Sequence, residues 1–429
     1  MQSALDIINF FGKRYRIVFN ADKTKLVVTG SKIDMNYYQD ISPWSLNGEK
    51  IAVVEENNHL GLIVSGLHEE EKNIDNNIQQ CRNSLYALLG HCYAFKCLLS
   101  PVVQTHLWRT YNLPVLRSGL SALPIRPVNI KSLIVFHNKI MRSFLKLSNS
   151  SPIPALHFLL GELPIEGRLH LDFLSLFNNI WGNPDTTIHK VVLYLLKMAA
   201  SNSSTWSAHL STLCQKYKLP NPLELLSSST WEKERWSTLT TTRVTVWYEK
   251  FLRAEAESNS KMRYLNVQVQ GLSGVPHPAL LNISNTQDIP RLRLHIKYLS
   301  GDFLTGERLA IDNGSNPQCK LCSSPVERRE HVLTHCKSNS DIHARMLPEL
   351  LNTVLAVQPS CKILQCSLQS PYLTQFILDC TSLNLPETHR VAAHNPNVGQ
   401  IFSVARNWCF DVSKSRARLL QQLSKTNVP

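Results

Sequence analysis

The amino-acid sequence predicts a mainly α chain. A small α+β piece comes first, a helical bundle follows, and a small Cys/His module sits near the C-terminus. Three observations carry that expectation. Apolar residues recur at helical spacing through most of the chain. Short β-type runs separated by turn residues are confined to the first 66 residues. Cys319-Lys-Leu-Cys322 is followed at short range by His331 and Cys336, a spacing that suits a tetrahedral zinc site.

Taken in order, residues 2–11 carry a helical apolar pattern, with Gly12 as a natural helix-ending residue. Tyr15 to Asn20 reads as a strand, Asn20-Ala-Asp-Lys23 as a turn, and Lys25 to Thr29 as a second strand. Trp44 to Leu46 and Glu49 to Val54 flank Asn47-Gly48, the signature of a type I′ hairpin turn. His59 to Val64 gives one more strand. Residues 1–66 are thus a small α+β unit, too short to be self-sufficient.

Residues 67–147 form the bundle. Ile74, Ile78, Cys81, Leu85, Leu88, Leu89 and Cys92 fall on one helical stripe. Ser100-Pro101 is an N-cap followed by Pro, and Pro127 opens a third helix. That helix sets Ile130, Leu133, His137, Met141 and Phe144 on one side. Lys131, Lys139, Arg142 and Lys146 cluster on another. Residues 148–290 are a helical connection, opened by a Ser/Pro linker and anchored by Trp206, Trp231, Trp236 and Trp247. Residues 291–345 hold the Cys/His module. Residues 346–429 are a helical tail, with an amphipathic helix over 398–423 carrying Arg406, Lys414, Arg416 and Arg418.

Charge narrows the partners. Lys plus Arg number 45 against 32 Asp plus Glu. That balance favours polyanions, nucleic acid first and anionic membrane second. From Asn76 to Gly161 there is no acid, while Arg82, Lys96, Arg109, Arg117, Arg126, Lys131, Lys139, Arg142 and Lys146 all occur. Nothing reads as a secretory signal or a membrane span, so an intracellular chain, nuclear or cytoplasmic, with reduced thiols is expected.

Thiolates are soft donors, and Zn²⁺ takes four N/S ligands. Cys319, Cys322 and His331 supply three. On an ideal helix His335 shares the face of His331, whereas Cys336 ligates only if the helix ends there. Either choice fills all four positions, so the site is structural rather than catalytic. The chain has no Asp-Asp pair, phosphate-binding Gly-rich loop or Gly-x-Ser-x-Gly. On its residues alone, it binds rather than catalyses.

Several segments together resemble non-LTR retrotransposon reverse transcriptases. Phe10-Phe-Gly12, Ile17-Val-Phe-Asn20 and Asp22-Lys-Thr-Lys-Leu-Val-Val28 are similar to the palm segment after the catalytic loop. Asn58-His-Leu-Gly-Leu-Ile-Val64 resembles the primer-grip strand, and the three-helix region the thumb. Arg291-Leu-Arg293, Gly301 and Cys319/Cys322/His331/Cys336 resemble the C-terminal zinc module of jockey-like elements, which favours Cys336 as fourth ligand.

The resemblance implies a partial palm, thumb, connection and zinc module that grip RNA, DNA or their hybrid. Lys23 or Lys25 would lie near phosphates, and His59, Leu60 and Gly61 in the primer grip. The polymerase's metal-binding aspartates fall upstream of Asp6, outside this sequence. Catalytic residues are therefore none, and Mg²⁺ would enter only with a complete palm. The rival expectation is a zinc-stabilised helical scaffold that binds proteins.

Overall fold

The structure is a computed structural model that describes residues 1–28, 44–94, 99–198, 205–227, 233–268, 271–283, 285–365 and 370–426. Lys96 and Trp231 lie outside the described residues, as do Thr29 and the side chains of Leu89 and Cys92. Helix accounts for 65% and strand for 5%, so the molecule is mainly α as the periodicity requires. Among the described residues, no helix is long and apolar enough to cross a membrane.

The N-terminal unit opens with α1 (Gln2–Tyr15). This helix passes through Gly12 instead of ending there. A Cβ at Gly12 would stand 2.6 Å from the Ile17 carbonyl oxygen, so the glycine serves a close approach within the helix. The chain stops instead at Arg16, in the left-handed region at φ 56°, and Ile17 N–H bonds back to Gly12 O at 2.8 Å. Residues 17–20 follow this cap and form no strand, contrary to expectation.

Strand β1 (Lys25–Val27) pairs in parallel with β4 (Ala52–Val54). Between them, β2 (Ser45–Leu46) and β3 (Glu49–Lys50) form the hairpin expected at Asn47-Gly48, both at positive φ, but the arm expected to run on to Val54 breaks at Ile51, and its remainder is β4, paired with β1 instead. The single strand expected at 59–64 is a second hairpin, β5 (Glu56–His59) with β6 (Leu62–Ser65). Its turn, Leu60-Gly61, has φ of 51° and 84°. Leu60 is an unusual residue for a type I′ position, and its apolar side chain disguised the turn.

The bundle begins with α2 (Glu69–Ala94). Helix α3 (Pro101–Leu107) starts at Ser100, whose Oγ accepts Val103 N–H at 3.3 Å. It continues through a π turn into α4 (Leu113–Arg117), and α5 (Pro127–Leu145) follows. Ile74, Ile78 and Cys81 of α2 face Trp108, Leu116, Leu133 and Phe144 in one buried cluster.

The connection contains α6 (Ile153–Leu160), α7 (Ile165–Trp181), α8 (Thr187–Met198), α9 (Trp206–Lys216), α10 (Pro222–Ser227) and α11 (Lys233–Glu257). The Ser148–Pro154 stretch is a tight tie, with Ser151 buried and Ser148 N–H bonded to Asp302 at 2.8 Å. Then come α12 (Asp288–Leu299), α13 (Gly306–Asn313), α14 (Ser340–Val357), α15 (Pro371–Leu378) and α16 (Val398–Thr426). Helix α16 packs along α12 and α14. The same buried cluster runs from Ile74 to Val412, whereas Ala21, Leu46 and Ile51 form a separate small core.

Candidate metal centre and basic groove

Cys319 and Cys322 lie on a tight knuckle. Ser323 N–H bonds Cys319 O at 2.9 Å, Cys319 N–H bonds Ser324 O at 2.9 Å, and Ser323 turns the chain at φ 59°. The second half is a π turn over His331–His335, closed by Cys336 N–H on His331 O at 2.7 Å. Widening the turn by one residue, then ending it at an extended Cys336, brings this thiol to the side of His331. An α-helix through the same residues would have turned it away.

The four ligand atoms of Cys319, Cys322, His331 and Cys336 all lie within 4.8 Å of one another. Cys319 Sγ stands 4.0 Å from Cys336 Sγ, and Cys322 Sγ 3.3 Å from His331 Nε2. A tetrahedron with metal–sulfur bonds of about 2.3 Å has sulfur–sulfur edges of about 3.8 Å. The cluster could thus hold one metal ion with little movement. His335 is excluded. It is exposed, and its Nδ1 bonds Thr334 Oγ1 at 2.9 Å and Glu330 O at 3.1 Å.

The site is anchored on two sides. Trp408 of α16 donates its indole N–H to Leu333 O at 2.9 Å, inside the π turn. Buried Glu327 accepts Arg416 Nη2 at 2.6 Å and Gly306 N–H at 2.7 Å. Gly306 must be small, because a Cβ there would meet Pro317 O at 2.6 Å. Burial pushes the Cys319 thiol up to about 12 and raises Cys336 too. An ion must displace those protons, so its affinity rises with pH.

The acid-free stretch looks different once folded. Acids from outside the stretch reach in and pair with three of its nine cations. Arg109 pairs with buried Glu162, Arg117 with Asp172 at 2.6 Å, and Arg126 with Glu70 at 3.3 Å. Arg142 donates to Ser151 O at 3.2 Å. Arg109, Arg117 and Arg142 fasten the bundle to the connection, and Arg126 ties the start of α5 to α2. Lys146 sits past the last turn of α5 at φ 54°, with Arg293 close by.

Arg82, Lys131 and Lys139 remain. They line a groove of about 820 Å³ between α2 and α5, and none holds an ion pair among the described residues. Exposed Val128 and Val135 share the lining, as does Asp75. The structure thus divides the expected basic face: Lys131 and Lys139 face the groove, while Arg142 is spent on a tie. Arg82, on the facing helix, was not singled out from sequence; its membership of the acid-free run was the available signal. Glu327 was missed altogether, since nothing local marks its partnership with Arg416.

Lys23 and Lys25 lie exposed around the first turn and the start of β1. His59, Leu60 and Gly61 occupy the exposed hairpin tip, where Leu60 is 92% accessible. The hairpin rests on α2 through Asn73, which exchanges bonds of 2.8 Å with Ile63 N–H and O. A left-handed Leu costs roughly 1–2 kcal/mol, which Asn largely avoids. Leu60→Asn is expected to stabilise this hairpin by about 1 kcal/mol, read as slower amide exchange across β5 and β6. Faster exchange would mean that contacts of the Leu60 side chain hold the turn.

No family model and no curated protein sequence matches this chain.

Proposed function

We propose that this chain binds nucleic acid through the groove between α2 and α5, as the zinc-stabilised C-terminal part of a reverse-transcriptase-like polymerase, without polymerase activity of its own. One observation carries the reading. Arg82, Lys131 and Lys139 converge on an open groove and hold no ion pair among the described residues, while four other cations of the same region are tied up. Three cations that hold no ion pair among the described residues, against one carboxylate (Asp75), suit phosphates, and the exposed valines suit sugar and base surfaces. In this reading zinc fills the Cys319/Cys322/His331/Cys336 cluster and fixes the fold around it.

The test is anisotropy of a labelled RNA–DNA hybrid titrated at several salt concentrations. Counterion release gives a slope of about one per phosphate contact, so Lys131→Gln/Lys139→Gln should flatten the plot by about two. Affinity should fall for every sequence tried. An unaltered slope would sink the groove assignment, and primer extension with Mg²⁺ would sink the inactive reading.

A protein-binding scaffold is the second reading, and α1 favours it. Ile7 is 69% exposed and Phe10 67%, with Phe11 and Tyr15 also open. Such a contiguous apolar face suits a protein partner. A flat salt response with no affinity for the hybrid would select this reading.

A further inference from the structure

Helix α8 is apolar on two opposite sides. One side faces inward. His189 and Val192 are buried, and Leu193 and Leu196 pack on the core, where α8 meets α7, α9 and α10. His189 Nδ1 stands 3.2 Å from Ile180 O, which fixes that side against α7. The other side is open. Ile188 is 52% exposed, Val191 45%, Leu195 37% and Met198 60%. A helix apolar all round is ordinarily enclosed. Among the described residues, nothing encloses this one.

The four open residues stand 3, 4 and 3 positions apart, which is the a and d pattern of two heptads. Such a seam matches the face of one other helix and is narrower than the stripe of a helix that only covers a core. Lys190, Tyr194 and Lys197 follow one another along one flank of the seam, at i, i+4 and i+7. Both lysines are exposed and hold no ion pair among the described residues, and α8 contains no acid. This charge selects the occupant. Antiparallel pairing with a second copy would match Ile188 to Met198 and Val191 to Leu195, but would set Lys190 against Lys197 along the shared flank. An acidic helix meets the same flank with attraction.

We propose that the outer side of α8 docks an amphipathic helix of a partner protein, one with apolar residues at matching spacing and Glu or Asp along the flank that meets Lys190 and Lys197. The seam supplies the burial, and the lysines set the choice of partner. The proposal uses neither the groove nor α1, so it stands beside either reading above.

The experiment titrates the full chain into a fluorescein-labelled synthetic peptide of three heptads, with Leu at a and d and Glu at e and g, and reads anisotropy. The glutamates keep this peptide from pairing with itself near neutral pH. Saturable binding is expected. Leu195→Asp should weaken it about a hundredfold, and Lys190→Glu/Lys197→Glu about tenfold. A twin peptide with Lys at e and g should prefer that double variant to the wild type. If Leu195→Asp lowers the melting temperature, Met198→Asp replaces it at a more exposed place. Equal affinity of wild type and variants for the acidic peptide would overturn the proposal, because the general positive charge of the chain would then account for binding. No binding by the wild type would overturn it too. In that case a dimer in sedimentation, or capture by phosphatidylserine vesicles, lost in Leu195→Asp, would give the face to a second copy or to a membrane.

Discussion

Cys319→Ser is expected to take the zinc content from one ion per chain to none. A serine hydroxyl stays protonated where a thiolate would bind, and Cys319 sits buried at the centre of the knuckle. Structural zinc sites bind with about 10–16 kcal/mol in small peptides near neutral pH, so losing one ligand removes a large share of the local stability. The damage should spread along known contacts. Residues 315–340 would loosen first, followed by the Glu327–Arg416 tie at 2.6 Å and the adjoining part of α16. Among the described residues, helices α2 to α5 share no hydrogen bond with the knuckle, and they should stay folded. Elemental analysis reads the metal, and amide exchange reads the spread. A Cys319→Ser protein that keeps stoichiometric zinc would refute the ligand set, as would wild type that folds this module with none.

Acid should unfold the protein well above the usual carboxylate range. Burial holds His157 and His295 down to about 4, with Arg142 and Arg406 respectively adding repulsion. His137 and His170 are also pushed well below the ordinary value, first by burial and then by neighbouring cations. Both ring nitrogens of His137 lack a partner among the described residues, so nothing stands ready to receive its charge.

The sign follows from linkage. In the unfolded chain these rings take a proton near pH 6.5, whereas the native state resists it. Their contribution is therefore complete above pH 6.5 and is lost as pH falls from 6.5 towards 4. At the lower end His157 and His295 each forfeit roughly 3 kcal/mol, together comparable to the whole stability of an ordinary domain. Raised carboxylates at Glu69, Asp172 and Glu255 gain on acidification, but all three are partly solvated and offset little. Melting temperature should drop steeply between pH 7 and pH 5, in chelated protein as well as in the metal-loaded form. A flat profile over that range in chelated protein would mean that the native interior accepts these protons.

Much of the architecture was legible because it rests on local rules. The Ser100-Pro101 start, the Asn47-Gly48 turn and the long α16 each follow from a few neighbouring residues. Where close approach intervened, local rules failed. Gly12 resembles a helix end, yet it is the point where α1 lets Ile17 and Phe19 pass. Leu60 resembles a strand residue, yet it forms a turn. Ser148 to Pro154 resembles a linker, yet Asp302 and Arg142 hold it fast.

The metal cluster was almost complete in the sequence, since ligand spacing within 18 residues is a local property. The choice between His335 and Cys336 needed the π turn and its abrupt end. The chain's composition by itself set the excess of cations and placed nine of them in an acid-free run. Which of them stay available is a three-dimensional matter. Ion pairing depends on distance in space, and Glu162, Asp172 and Glu70 come within reach of that run only when the helices pack.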